Sequence, residues 1–536
     1  MIVLKINREE NEYDLYALVT SFYPEHGIKV EIGTEEKASE NKASDADGSG
    51  DIICASLFTE KKVSEKNIPE KSEQGFIRFC SGKILEKDEC FSFVTSAEDP
   101  AAIKKQWKLF LYDSLSAYTG RTLPWGALTG VRPTKLIMGM LFSESGQADT
   151  DDNSVSGDAA ESAEVSGAVP ATVKAKVEKE LYDRYRVSGK KAELGIEIAN
   201  LESRILKPFI NEDGYSLYIG IPFCPSRCLY CSFTAFPIDA YSDRVRSYLD
   251  ALKYEMEQMR IYMNDREPDT VYVGGGTPTS LDEQSLEILL SYIDECVDIK
   301  SLKEFTVEAG RPDSITPGKL KVMKKYGVTR ISVNPQTMKE ETLKLIGRRH
   351  TTDDIRRAFA EARDAGFDNI NMDMILGLPG ETLSDVERSF DEVAGFKPDS
   401  ITAHSLAVKR ASRMKQWIAE HGAIKGLDAD KAMLKANETA ASLGMKPYYL
   451  YRQKNMAGSL ENTGFAMEGK YGLYNILIME EVQSIVAIGV GTVSKRVHKD
   501  GSGLIERCDT HKDVSLYLSD LEVMVERKRK LFGEGK

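Results

Sequence analysis

The sequence predicts an α/β protein whose central part is built on a parallel sheet. Short apolar runs recur six times between residues 216 and 406, and amphipathic stretches with helical spacing lie between them. Each of these runs ends in a glycine or in a polar side chain. Strands that alternate with helices pair in parallel through right-handed crossovers, either in an open doubly wound sheet or in a barrel.

The first part of the 536-residue chain differs in character from this central part. The segments MIVLKIN, GIKVEIG, DIICASLF and CFSFVT have the β-branched or alternating character of strands. Helix-like stretches at residues 13–22 and 101–118 accompany them. Residues 1–140 are therefore expected to form a small α+β domain, in a chain long enough for two or three domains.

Two polar segments are expected to be disordered. Residues 33–51 form a loop nearly free of large apolar side chains, and residues 141–172 form an acidic linker. Residues 143–168 alone carry seven acidic side chains, in a chain whose net charge is −13. The remaining charge is nearly balanced, which argues against a protein that coats nucleic acid.

The rest of the chain divides into three expected parts. A charged helical connector is expected at residues 173–210, a core domain at 211–410 and a C-terminal domain at 411–536. The sequence contains no apolar run of about 18 residues, so no membrane span is expected. The opening MIVLKINREE carries charges where a secretory signal has its apolar core. A cytoplasmic protein is therefore expected.

The six apolar runs of the core are the candidate strands. They cover residues 216–223, 270–276, 304–310, 330–336, 369–377 and 400–406, with candidate helices at 241–263, 283–297, 318–326 and 384–393. The carboxyl ends of parallel strands meet at one edge of a sheet, where chemistry collects. The features that follow the runs are three cysteines, residues 274–277, Glu308, Gln336, Asp373 and His404. Any one of them alone could be a solvated loop residue, but six in register favour a shared site.

The strongest chemical signal is a cluster of three cysteines after the first candidate strand, Cys224, Cys228 and Cys231. Three thiolates on one loop can bind three corners of an iron–sulfur cluster and leave one iron open, whereas typical [4Fe–4S] centres have four cysteine ligands. A zinc site would also need a fourth ligand, and the histidine nearest in sequence is His350. An open cluster is favoured over structural cysteines or a zinc clip.

Together these residues resemble a known family. Cys-x3-Cys-x2-Cys after the first strand, with GGGTP after the second, resembles the radical S-adenosylmethionine (SAM) superfamily. The flanking YIGIPFC narrows the resemblance to the oxygen-independent coproporphyrinogen III oxidase group, which includes related heme chaperones. TGVRPTKL, KRAS and YYLYRQKN are similar to its HemZ branch. The resemblance implies a partial (β/α)6 barrel, similar to a TIM barrel, with a C-terminal α/β extension.

The resemblance also implies cofactors and the residues that hold them. In the family, the amine and carboxylate of SAM chelate the open iron of a [4Fe–4S] cluster, and one-electron reduction yields methionine and a 5′-deoxyadenosyl radical. The implied cluster ligands are Cys224, Cys228 and Cys231. The implied cofactor contacts are Tyr218, Tyr230, Gly275, Gly276, Thr277, Glu308, Gln336, Arg348, Asp373 and Ala407. Of these, Tyr218 matches a tyrosine that lines the radical site and is the expected catalytic residue.

The implied activity is oxidative decarboxylation of coproporphyrinogen III to protoporphyrinogen IX in heme biosynthesis, by a radical SAM oxidoreductase (coproporphyrinogen dehydrogenase). Arg410 and Arg452 are the candidate cations for the substrate propionates. The expected partners are this tetrapyrrole and a reducing donor such as flavodoxin or ferredoxin, and a monomer is expected. Two departures from the oxidases stand out, because Phe233 replaces a fourth cysteine and Gly220 replaces a histidine. The alternative is therefore a heme chaperone that binds and delivers heme without decarboxylase activity.

Overall fold

The chain divides into two compact units in the computed structural model. The first unit comprises Met1–Val131, Ala175–Glu193 and Gln453–Leu460, and the second comprises Arg132–Lys174, Leu194–Arg452 and Glu461–Lys536. The described residues are 1–24, 26–33, 51–63, 69–95, 99–128, 132–144, 169–210, 213–409, 411–422, 424, 427–453 and 460–533. Most of the predicted loop 33–51 and of the predicted linker 141–172 lies outside these ranges.

The first unit is built on a five-stranded sheet in the order β2-β1-β3-β4-β5. Its strands are β1 (Ile2–Ile6), β2 (Ile28–Ile32), β3 (Asp51–Val63), β4 (Pro69–Cys80) and β5 (Glu89–Thr95). Strand β1 is parallel to both of its neighbours, β2 and β3. Strand β4 is antiparallel to both of its neighbours, β3 and β5. All four predicted strands are present, and β4 is an additional one.

Two helices of the first unit match the predicted helical stretches. They are α1 (Glu12–Phe22) and α2 (Pro100–Thr119). The Asp99 carboxylate accepts hydrogen bonds from the backbone N–H groups of Ala101 and Ala102, which caps the start of α2. Trp107 and Leu111 of α2 are buried in the core of this unit. Three further helices follow along the chain: α3 (Pro133–Glu144), α4 (Ala171–Tyr185) and α5 (Gly189–Leu206).

The second unit contains thirteen strands among its described residues. They are β6 (Tyr215–Ile221), β7 (Phe223–Cys224), β8 (Phe236–Pro237), β9 (Thr270–Gly275), β10 (Glu304–Val307), β11 (Arg330–Ser332), β12 (Ile370–Leu376), β13 (Ser400–Ser405), β14 (Lys446–Tyr451), β15 (Asn462–Ala466), β16 (Ser484–Ile488), β17 (Val493–Val497) and β18 (Ile505–Asp509).

The helices of this unit are α6 (Val245–Tyr262), α7 (Glu283–Cys296), α8 (Pro317–Lys325), α9 (Glu340–Leu345), α10 (Thr352–Asp364), α11 (Leu383–Phe396), α12 (Met414–His421), α13 (Ala429–Ser442), α14 (Leu473–Glu480), α15 (Val514–Ser519) and α16 (Leu521–Gly533). The four helices that the sequence predicts in this unit are confirmed as α6, α7, α8 and α11. Thr351 and Thr382 form capping boxes at the starts of α10 and α11, which fixes where these helices begin after their loops. Every described helix is too short or too polar to cross a bilayer.

The six predicted core strands form one parallel array, in the order β13-β12-β11-β10-β9-β6. Their residues are largely buried, which explains why they appear in the sequence as continuous apolar runs. The array continues at both ends. Strand β16 pairs in parallel with β6 and leads to β17 and β18, while β15 and β14 add antiparallel to β13. The carboxyl ends of the six strands therefore share one edge, as predicted.

Candidate functional site

The loop after β6 carries the three cysteines. Cys224 lies in the short strand β7, and the N–H of Cys231 donates to the carbonyl of Cys228 at 3.3 Å, which closes a tight turn. The loop is held against the segment that follows α9. The Leu229 N–H donates to the Ile346 carbonyl at 2.9 Å, and the Ser226 hydroxyl donates to the Gly347 carbonyl, also at 2.9 Å. The main chain thus fixes the spacing of the thiols.

The three thiols are sheltered from solvent. Cys224 and Cys228 are buried and Cys231 is partly buried. Burial raises the pKa of the Cys224 thiol to about 11 and also raises that of Cys231. Iron binding must therefore displace protons from these sulfurs. In a four-iron cluster each thiolate binds a different iron, and among the described residues no three His, Cys, Asp or Glu side chains converge on a single-ion site.

The glycine turn after β9 lies directly against this loop. The Gly276 N–H donates to the Ile221 carbonyl at 2.7 Å, and the Thr277 N–H donates to the Phe223 carbonyl at 2.8 Å. The Thr277 hydroxyl lies 3.3 Å from the Cys224 sulfur. A Cβ on Gly276 would stand 3.0 Å from that sulfur and 2.6 Å from the Phe223 carbonyl oxygen, so only glycine fits without displacement.

A buried arginine that was not predicted from the sequence forms hydrogen bonds with the cysteine loop. Arg311, which follows β10, donates from Nη1 to the Cys228 sulfur at 3.7 Å and to the Ser226 carbonyl at 3.2 Å. Both oxygens of Asp313 accept from the same guanidinium, at 3.0 and 2.7 Å. His350 Nδ1 lies 3.4 Å from Asp313. The signal was the short RPD motif three residues beyond Glu308.

Glu308 directly follows β10 and accepts a hydrogen bond from the Tyr272 hydroxyl. Burial raises the pKa of its carboxyl to about 7, the Asp373 carboxylate acts in the same direction, and the Tyr272 hydrogen bond and the nearby Arg330 oppose them. A carboxyl with such a pKa can change protonation near neutrality.

Gln336 and Arg348 supply buried polar groups to the same edge. Gln336 has a left-handed φ of +70° and is joined to β12 through the hydrogen bond from its N–H to the Asp373 carbonyl at 2.9 Å. Arg348 donates from Nη1 to the Asn334 carbonyl at 2.6 Å and from Nη2 to the Tyr230 hydroxyl at 3.1 Å. Arg348 thus links the cysteine loop to the segment that follows β11.

Asp373 lies in β12 and faces His404 of β13. Burial opposes ionisation of its carboxyl, yet the nearby His404 imidazole and the hydrogen bond from Asn371 lower its pKa. The Asn371 amide donates to it at 2.7 Å, and His404 Nε2 lies 3.7 Å away. Ala407 follows β13 and is half-buried. These residues lie on neighbouring parallel strands, as the shared edge requires.

Three tyrosines form one wall beside Glu308. The Tyr218 ring centroid lies 6.0 Å from that of Tyr272 and 6.1 Å from that of Tyr474, and the rings of Tyr272 and Tyr474 are 4.4 Å apart. Tyr474 belongs to α14 and was not predicted, because no local spacing connects it with β6. The stack places a cluster of aromatic side chains next to a titratable carboxyl.

Of the two candidate cations for the substrate propionates, only one lies among the described residues. Arg452 is partly buried, and burial lowers its pKa to about 10 while Glu461 acts in the opposite direction. Arg410 lies outside the described residues.

Comparison with known proteins identifies the family. The Radical SAM superfamily model matches residues 218–393. The oxygen-independent coproporphyrinogen-III oxidase-like protein HemZ of Bacillus subtilis is 37% identical over 441 residues, which cover 82% of each chain. The chain belongs to the HemZ-like family of radical SAM proteins.

Shorter similarities accompany this one. The heme chaperone HemW of Bacillus subtilis is 40% identical over 195 residues, covering 36% of this chain and 51% of that protein. A solved structure of coproporphyrinogen III oxidase HemN from Escherichia coli matches with 21% identity and a TM-score of 0.45, covering 59% of this chain and 70% of that one. The HemW similarity thus spans about half of that relative, whereas the HemZ similarity spans most of both proteins.

The HemZ-like family assignment brings a [4Fe–4S] cluster and SAM as cofactors, and the residues of this site fit them. The loop offers three buried or half-buried thiols. Gln336 Oε1 and Arg348 Nε are buried without a hydrogen-bond partner among the described residues. Unpaired buried polar atoms are costly, and a polar cofactor would pair them.

Proposed function

We propose that the chain catalyses the oxygen-independent oxidative decarboxylation of coproporphyrinogen III to protoporphyrinogen IX. The observation that carries this proposal is the similarity to an oxidase-like HemZ protein over 82% of both chains. The similarity to the heme chaperone HemW of Bacillus subtilis covers only 36% of this chain. A protein that is similar to an oxidase-like relative over most of its length is expected to catalyse the same class of reaction.

Cofactor binding falls to the residues at the carboxyl edge of the sheet. Cys224, Cys228 and Cys231 would hold the [4Fe–4S] cluster and leave one iron free. The implied contacts to SAM are Tyr218, Tyr230, Gly275, Gly276, Thr277, Glu308, Gln336, Arg348, Asp373 and Ala407. When bound, these cofactors supply a 5′-deoxyadenosyl radical that can remove one hydrogen atom from a propionate side chain.

The protein's own side chains contribute by positioning the substrate and by excluding water. Each propionate that becomes a vinyl group loses one hydrogen atom, one carbon dioxide and one electron, and the electron passes to an acceptor. The tyrosine wall of Tyr218, Tyr272 and Tyr474 supplies aromatic side chains that suit the pyrrole rings of the substrate and help to exclude water. Glu308 holds the Tyr272 hydroxyl in place and exchanges a proton near neutral pH.

Anionic propionates need cations, and Arg452 is the described candidate for this role. Burial lowers its pKa and the Glu461 carboxylate acts in the opposite direction, so a further anion beside the guanidinium would also favour its charged form. Arg410 is proposed for the same role from the sequence alone. We further propose a monomer that receives electrons from a flavodoxin-like or ferredoxin-like donor.

One observation favours a second candidate, a heme chaperone. Phe233 stands where the oxidases have a fourth cysteine, and its side chain is 64% exposed. The relatives named heme chaperone HemW reach 40% identity, over 195 residues of this chain. On this reading the site binds and delivers heme without decarboxylating a substrate.

A single reconstitution experiment separates the two candidates. The protein would be loaded anaerobically with iron and sulfide, reduced with dithionite and incubated with SAM and coproporphyrinogen III. An oxidase forms protoporphyrinogen IX in proportion to the 5′-deoxyadenosine released, and Cys228→Ala forms neither. No porphyrin product together with stable, stoichiometric heme binding would instead establish the chaperone.

A further inference from the structure

We propose that a cationic surface beside the cysteine loop is the docking site of a small acidic protein that delivers single electrons. We define this cationic edge by four exposed or half-exposed cations and one apolar side chain, Arg227, Lys344, Leu345, Arg349 and Arg413. The inference rests on the cluster site of the proposed function, but it does not depend on decarboxylation.

The cationic edge lies next to Cys228, one of the proposed cluster ligands. A Cβ built on Gly347 would stand 4.0 Å from the Cys228 Cα, 3.5 Å from the Arg227 carbonyl oxygen and 3.9 Å from Arg413 Nη2. Lys344 and Arg349 flank this glycine within three residues. Electron transfer between proteins is favoured where the carrier can approach the redox centre closely, and this edge offers a close approach to the cysteine loop.

The edge contacts a different cysteine from the cofactor turn. Thr277 and the neighbouring Gly276 lie against Cys224, whereas Gly347 lies beside Cys228. A carrier seated on the cationic edge would therefore leave the turn that is proposed to bind SAM uncovered. Electron delivery and SAM binding can then use different surfaces of the cysteine loop.

The charges of the cationic edge are not neutralised by the described residues. The guanidinium of Arg227 donates to the Ala411 carbonyl at 2.7 Å, and that of Arg413 donates to the Arg227 carbonyl. Neither of them, nor Lys344 or Arg349, forms an ion pair with a described carboxylate. The exposed Glu341 on α9 is the acidic side chain closest to them in sequence.

Arginines elsewhere on the same unit behave differently. Arg356 and Arg357 of α10 pair with carboxylates, as do Arg363 and, on α11, Arg388. Paired surface charges cancel at short range, whereas a set of unpaired cations produces a net positive field that steers an anionic partner. The cationic edge is therefore suited to an acidic protein.

An apolar side chain lies among these cations. Leu345 ends α9 and is 41% exposed, between Lys344 and the buried Ile346. Protein interfaces combine an apolar centre with a polar or charged rim, and transient redox complexes use small interfaces of this type. The combination favours a protein partner over a small anion, which would gain nothing from an exposed leucine.

The test uses matched charge reversals in the full-length, cluster-loaded protein. The test variant is Lys344→Glu with Arg349→Glu, and the control is Lys300→Glu with Lys321→Glu. The control residues are exposed, lie before β10 and on α8, and change the net charge by the same amount. Reduction of the cluster by reduced flavodoxin would be followed by stopped-flow absorbance at low and high salt.

We expect the test variant to be reduced about tenfold more slowly than the wild type at low salt. The difference should shrink at high salt, while the control follows the wild type and dithionite reduces all three clusters equally. Equal rates in wild type and test variant, or equal slowing in the control, would overturn the docking site. A wild-type cluster that dithionite reduces but that yields no protoporphyrinogen would contradict only the proposed decarboxylation.

Discussion

The guanidinium of Arg311 donates a hydrogen bond to the Cys228 sulfur at 3.7 Å while both oxygens of Asp313 hold it in place. Arg311 is only 3% exposed, so water screens its charge poorly. Reduction adds one negative charge to an iron–sulfur cluster, and hydrogen bonds and positive charge at the ligand sulfurs favour the reduced form. Arg311 is thus placed to raise the reduction potential of a cluster bound by this loop.

Replacing Arg311 by Met should make that potential more negative by about 60 mV, which is tenfold in the equilibrium constant of a one-electron couple. The measurement is a redox titration of the loaded protein, followed by electron paramagnetic resonance. Arg311→Lys keeps the charge but loses the planar fork, so it should give a smaller shift. An unchanged potential in Arg311→Met would exclude this role.

The sequence could predict the six core strands because each is buried on both faces and is therefore a continuous apolar run. It could not predict β4, whose first half, PEKSEQ, is polar and gains its place by antiparallel pairing with β3. The apolar run of β16 is visible, but its place beside β6 depends on pairing between segments far apart in sequence. Local patterns therefore predicted the elements, and long-range pairing decided their neighbours.

The residues of the candidate site also divide into those that local sequence spacing predicts and those that only long-range contacts bring together. The three cysteines and the glycine turn are close in sequence or follow recognisable strands, so spacing predicted them. Arg311 and Tyr474 have no such spacing. Arg311 meets Cys228 across 83 residues, and Tyr474 stacks on Tyr272 from a helix near the end of the chain. Only the folded sheet brings these side chains to the site.

Replacing Gly276 by Ala should weaken the cofactor site without unfolding the protein. The new Cβ would stand 2.6 Å from the Phe223 carbonyl oxygen and 3.0 Å from the Cys224 sulfur, so the turn must move. We expect about a tenfold loss of SAM affinity, measured by equilibrium dialysis with the loaded protein. Gly395→Ala is the control, because nothing lies within 4 Å of its Cβ position. Unchanged SAM affinity in Gly276→Ala would contradict the close approach inferred here.

Replacing Cys224, Cys228 or Cys231 singly by Ala should remove the cluster, since two thiolates leave too few ligands for four irons. The expected result is loss of the brown absorbance and of bound iron after anaerobic reconstitution. Cys90→Ala is the control, because Cys90 is exposed in the first unit and should leave the iron content unchanged. Full iron content in all three single variants would remove the basis for the cluster assignment.

The pH dependence of stability should reveal the protonation of Glu308. Burial raises the pKa of this carboxyl from 4.5 to about 7, so the folded protein binds its proton more tightly than the unfolded chain does. The stability associated with the neutral form is then fully present below pH 4.5 and is lost as the pH rises towards 7. Glu308→Gln removes this proton and should flatten that part of the profile.

The measurement is urea unfolding of the cluster-free protein at about pH 5 and pH 8, for the wild type and for Glu308→Gln. Relative to the wild type, the variant should gain about 2 kcal/mol of unfolding free energy between the two conditions. Glu438→Gln is the control, because Glu438 is exposed on α13 and forms no ion pair with a described residue. If the profile of Glu308→Gln parallels that of the wild type, Glu308 is ionised throughout this range, and its hydrogen bond from Tyr272 is that of a permanent carboxylate.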